Sequence, residues 1–101
     1  MLLHTVNKSP FEKNSLDTCL RLSMPGSCII LIEDGVYGAL TGGAFAAQLQ
    51  DGMRERKLYA LAADLQARGI DPARLLDGVE VVDYSGFVEL AASCDKIQSW
   101  F

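Results

Sequence analysis

Cys28-Ile29-Ile30-Leu31-Ile32, followed at once by Glu33-Asp34-Gly35-Val36-Tyr37, is the stretch whose reading decides the fold. Five consecutive apolar residues without alternation are the pattern of a strand covered on both faces, at home in the middle of a parallel sheet. The run is too short for a free-standing helix, and its isoleucines suit a pleated backbone. Pro25-Gly26-Ser27 punctuates its start and Glu33-Asp34-Gly35 its end. In open α/β sheets, ligands and chemistry gather beyond the carboxyl ends of the strands. Asp34 and Gly35 therefore mark the first place to look for function.

Outward from this strand, the chain alternates between two periods. Leu2 to Val6 reads as a first strand, and Asn7-Lys8-Ser9-Pro10 as a loop. Residues 11–24 read as a helix, with Leu16, Cys19, Leu20 and Ser23 on one face and Asn14 or Ser15 as its N-cap. On the other side, residues 35–40 predict a short helical turn capped by Asp34, and residues 44–55 a second helix with Phe45, Gln48, Leu49 and Met53 on one face. Lys57 to Leu61 is the third strand. Residues 62–68 form a helix closed by Gly69, and Asp71-Pro72 opens another short one. Residues 79–82 are the fourth strand. Asp83 or Ser85 starts the last helix, whose inward stripe is Phe87, Leu90, Ala91 and Cys94. Residues 97–101 add a fifth strand or an apolar tail. The expectation is a single domain over residues 1–101, a three-layer α/β/α sandwich with a mainly parallel sheet of four to five strands and right-handed crossovers.

Composition narrows the function classes. Half of the 101 residues are hydrophobic, enough for one core with apolar surface left for partner subunits. A net charge of -4 argues against a nucleic-acid binder, because neutralising phosphates needs a basic face. No apolar run reaches the roughly 18–20 residues that cross a bilayer. The first residues, Met1-Leu2-Leu3-His4-Thr5, lack the basic leader and cleavage site of a signal peptide, so the expected location is cytoplasmic. Three widely spaced cysteines and a single histidine fit neither a disulfide scaffold nor a common zinc set. Any chemistry falls to a thiol.

Each candidate has a plain alternative. Cys19 lies beside the apolar face of the first helix, where a free cysteine commonly packs as a small hydrophobe. A reactive thiol there would need a cation or helix N-terminus to favour its thiolate, and neither Lys13 nor Arg21 is at helical spacing from it. Cys28 and Cys94 read as packing residues, one starting a buried strand and the other closing an inward stripe. His4, inside an apolar strand, reads as a core histidine. Glu33 and Asp34 could pair as acid and base, although a capping role for Asp34 is the simpler reading. Thr41-Gly42-Gly43 matches neither nucleotide fingerprint, so a flavodoxin-like nucleotide binder would rest on fold analogy alone.

Leu3 to Phe11, Glu33-Asp34-Gly35-Val36-Tyr37, Lys57-Leu58-Tyr59-Ala60-Leu61, Asp64-Leu65-Gln66-Ala67-Arg68-Gly69 and Val82-Asp83-Tyr84-Ser85-Gly86-Phe87-Val88, in this order and spacing, resemble the DsrH/TusB family over the whole chain. Asn7-Lys8-Ser9-Pro10-Phe11 and Cys19 bring the resemblance nearer to DsrH of sulfur-oxidising bacteria. It implies a sulfurtransferase subunit working with DsrE-like and DsrF-like chains in a dimer of heterotrimers. Such assemblies pass persulfide sulfur to or from a DsrC-like carrier, and their principal sulfur-carrying cysteine belongs to the DsrE-type subunit. Cys19 matches the cysteine that DsrH proteins carry and TusB-type members commonly lack, which makes it the candidate catalytic residue. The alternatives are a TusB-like subunit of a TusBCD complex in tRNA 2-thiouridine synthesis, or a structural subunit with no sulfur-carrying cysteine. The family relay calls for no metal and no organic cofactor.

Overall fold

A computed structural model describes residues 2–9, 15–43 and 45–101. Among these residues, five strands, β1 (Leu2–Val6), β2 (Cys28–Leu31), β3 (Lys57–Leu61), β4 (Glu80–Val82) and β5 (Lys96–Trp100), form one sheet in the order β4-β3-β2-β1-β5, and each of these pairings is parallel. The apolar run is central, as its composition dictates. Ile29, Ile30 and Leu31 are completely buried, each contributing roughly 1.5–3 kcal/mol through burial of its side chain.

Among the described residues, four α-helices connect the strands: α1 (Ser15–Leu22), α2 (Ala46–Gly52), α3 (Ala62–Ala67) and α4 (Tyr84–Ser93). Their placement follows from handedness. From β1 through β4 the chain steps across the sheet in one direction, and right-handed crossovers put the intervening helices on one face. The step from β4 back to β5 spans the sheet in the opposite direction, so the same hand puts α4 on the other face. Two cores result. Val6, Ile29, Leu31, Leu58 and Ala60 pack under α1, α2 and α3 with Leu16, Cys19, Leu49 and Leu65. On the opposite face, Leu3, Cys28 and Ile30 meet Phe87, Leu90, Ala91 and Cys94 of the α4 segment. The layers are unequal, and no residue of α4 is fully buried.

Local boundaries depart from the sequence reading most at α1, α2 and the turn after β2. Helix α1 ends at Leu22, with Ser23 and Met24 already outside it, while residues 11–14, Asn14 among them, lie outside the described residues. Helix α2 is confined to Ala46–Gly52, because the chain turns at Met53–Glu55 to enter β3; Ala44 is outside the described residues. The turn after β2 is a 3-10 helix over Glu33–Ala39 with Ile32 in the N-cap position, so Asp34 sits within the helix and does not cap it. The other caps agree with expectation. Asp71 accepts from the Ala73 N–H at 2.9 Å, Asp83 from the Gly86 N–H at 2.7 Å, and Gly69 takes a φ of 65° at the end of α3. The apolar tail is a strand, β5, in register with β1 from Leu2↔Lys96 to Val6↔Trp100. Among the described residues, no helix is long and apolar enough to cross a membrane.

Candidate functional site

The carboxyl end of β2 holds an ionic cluster. Arg68, at the end of α3, donates from Nε to Asp34 Oδ1 at 2.9 Å and lies 3.5 Å from Asp64 Oδ1. Asp64 Oδ2 in turn accepts the Glu33 N–H at 2.8 Å. That bond holds Glu33 at a φ of 49°, a left-handed conformation costly for a side-chain-bearing residue. Two residues on, Gly35 packs so closely on β1 that a Cβ would collide with the Val6 carbonyl oxygen. Sequence reasoning pointed at Asp34 and Gly35 but missed Arg68, their organising cation. The Asp64-to-Arg68 spacing on a helix was the available signal. With Asp34 held by Arg68, Glu33 and Asp34 are not arranged as an acid–base pair; the cluster fastens the 3-10 turn to α3.

Cys19 lies in the middle of α1, completely buried between that helix and the sheet. Burial pushes its thiol up to about 12 from 9.0, and the nearby Arg56 guanidinium opposes the shift only in part. Arg56 itself is committed elsewhere. Its Nε donates to the Ser23 hydroxyl at 2.6 Å and its Nη2 to the Ser23 carbonyl at 2.5 Å, clamping the end of α1 to the turn before β3. The cation that sequence spacing could not supply thus comes from a distant segment. Burial still dominates.

His4 is engaged at one nitrogen, and its buried Nε2 has no hydrogen-bond partner among the described residues. The Trp100 indole Nε1–H donates to its Nδ1 at 2.9 Å, which leaves the proton of the neutral imidazole on Nε2. Burial, with the Arg56 charge, lowers the histidine's pKa, so it is neutral at physiological pH. It does not meet a cysteine as a catalytic base and fits the core-histidine reading. Among the described residues, no group of three or more His, Cys, Asp or Glu side chains could hold a metal ion.

Cys28 and Cys94, read separately as packing residues, belong to one cluster on the α4 face. Cys28 is buried, while Cys94, at the C-cap of α4, is partly exposed. The sequence carried no signal of this meeting, because it depends on β5 crossing to the far edge of the sheet.

The family model described as DsrH like protein matches residues 8–97. Relatives named "Protein TusB" share the full length: that of Pectobacterium atrosepticum is 35% identical over 98% of this chain and all of its own, and that of Erwinia tasmaniensis is 37% identical over 98% and 100%. Among solved structures, the ychN protein from E. coli superposes with a TM-score of 0.82 at 23% identity, covering 97% of both chains. A Methanobacterium thermoautotrophicum protein described as of unknown function gives 0.73 at 16%, covering 96% of each. At these identities the structural matches speak for the fold.

Proposed function

This chain belongs to the DsrH like protein family, and from that premise we propose that it is a TusB-like subunit of a cytoplasmic sulfur-relay assembly. It works beside TusC-like and TusD-like chains of the same fold, in tRNA 2-thiouridine synthesis. The observation that carries the reading is the full-length likeness to proteins named TusB. Sulfur moves in such a relay when a thiolate attacks the outer sulfur of a persulfide on a docked partner, so that no free sulfide is released. A thiol held neutral to about 12 inside a core is a poor participant. We therefore place the sulfur-carrying cysteine on a partner and give Cys19 a packing role in the closed subunit. The chain's own contribution is a rigid sheet and the surface that completes the assembly.

Arg56 favours a second reading. Its charge lies close enough to oppose the Cys19 shift, as a sulfur-handling thiol would require. In that version DsrE-like and DsrF-like partners open α1 on docking, and Cys19 exchanges sulfur bound for a DsrC-like carrier in dissimilatory sulfur oxidation. Loading the assembled complex with a persulfide donor and mapping each cysteine by mass spectrometry separates the two. Persulfide on a partner cysteine alone, with Cys19→Ala transferring sulfur at the wild-type rate, supports the TusB-like reading. Persulfide on Cys19 supports the second.

A further inference from the structure

Cys28 begins β2 at the amino-terminal edge of the sheet, and Cys94 closes α4 just before the chain enters β5 at that same edge. Leu3 is the register partner of both Cys28 and Ile97, so β1 brings the start of β2 and the start of β5 to its two sides. Helix α4 crosses the sheet face above them and delivers Cys94 into the cluster around Cys28. Cys94 and the Tyr59 hydroxyl both lie close enough to Cys28 to shift its titration, Cys94 upward and Tyr59 downward. A mostly apolar hollow opens beside the pair, lined by Leu2, Met24, Pro25, Ser27, Asp95 and Lys96. Ser27 and Asp95 are the chain neighbours of the two cysteines, so the hollow adjoins the partly exposed Cys94.

We propose that Cys28 and Cys94 are a redox dithiol, a modification site separate from Cys19, that closes to an intramolecular disulfide on exchange with a low-molecular-weight disulfide. Cys94 loses its proton to solvent and attacks one sulfur of the oxidant; a bond forms between them and the oxidant's other sulfur leaves as a thiolate. Cys28 then gives up its proton to that thiolate or to water and attacks the Cys94 sulfur, expelling the second oxidant thiolate. The two protein thiols are oxidised by two electrons, and one oxidant disulfide is reduced to two thiols.

Cys28 suits the resolving role. Burial raises its pKa, as does the neighbouring Cys94, while Lys57 and the Tyr59 hydroxyl favour its thiolate. A buried resolving thiol is slow to ionise but shielded from external oxidant, so the order of attack is fixed by access. The closed bond would staple β2 to the end of α4, the helix that covers its face alone. This site stands independently of the sulfur-relay reading.

The test uses the full chain, reduced and then exposed to oxidised glutathione, with remaining thiols alkylated and peptides mapped by mass spectrometry. The expected result is a cross-linked peptide joining Cys28 to Cys94, with Cys19 still reduced and no glutathione retained. Cys28→Ser should trap glutathione on Cys94, and Cys94→Ser should leave Cys28 unmodified, with circular dichroism reporting that both variants fold. Cys19→Ala should oxidise like the wild type. A stable glutathione adduct on wild-type Cys94, a disulfide that includes Cys19, or two thiols that stay reduced would each overturn the proposal.

Discussion

The reactivity of Cys19 can be predicted quantitatively. Its thiol is pushed from 9.0 to about 12 by burial, which lowers the thiolate population at neutral pH about a thousandfold, equivalent to roughly 4 kcal/mol against ionisation. No part of the side chain reaches solvent, so reaction also requires α1 to part from the sheet. The perturbation is a timed pulse of iodoacetamide at pH 8, given to the native chain and again to the chain in denaturant. Peptide mass spectrometry reads each cysteine separately. Native Cys19 should label at least about a thousandfold more slowly than unfolded Cys19, because ionisation and access act in the same direction. The partly exposed Cys94 should label first. Native labelling of Cys19 within tenfold of the denatured rate would refute the reasoning and reopen Cys19 as a sulfur carrier.

Alkaline pH should destabilise the fold. The raised pKa values of Cys19, Cys28 and Tyr59 all mean that the unfolded chain releases protons first, so stability holds below about pH 9 and falls above it. Cys19 alone contributes a slope approaching 1.4 kcal/mol per pH unit between 9 and about 12, readable by urea titration at successive pH values and absent from Cys19→Ala. Gly35→Ala should cost about 2 kcal/mol or more in chemical denaturation, since its Cβ meets the Val6 carbonyl and β1 or the 3-10 turn must shift. Glu33→Gly should instead raise stability by about 1 kcal/mol in the same assay, by relieving a left-handed backbone while the Asp64 bond to the main-chain N–H is kept.

The strands were legible because their signal is local. An unalternating apolar run states its own burial, and the Lys57–Leu61 reading agrees with β3 residue for residue. Helix ends were less so, since the apolar spacing that includes Met53 runs into the turn that ends α2. Asp34 was misread as a cap because its partner, Arg68, is delivered by the pairing of β2 with β3 and the return of α3. The environment of Cys19 was half legible. Its helical face predicted packing, but the Arg56 charge arrives from another segment. The meeting of Cys28 and Cys94 was hidden for the same reason, because it requires the strand order β4-β3-β2-β1-β5 and not merely the alternation of strand and helix.

Assembly is the most direct measure of the proposed role. Co-expression of this chain with TusC-like and TusD-like partners from the same genome, followed by size-exclusion chromatography with light scattering, should give one species of about the mass of a dimer of heterotrimers, containing all three chains. Elution of this chain alone as a monomer, with the partners assembling without it, would contradict the account.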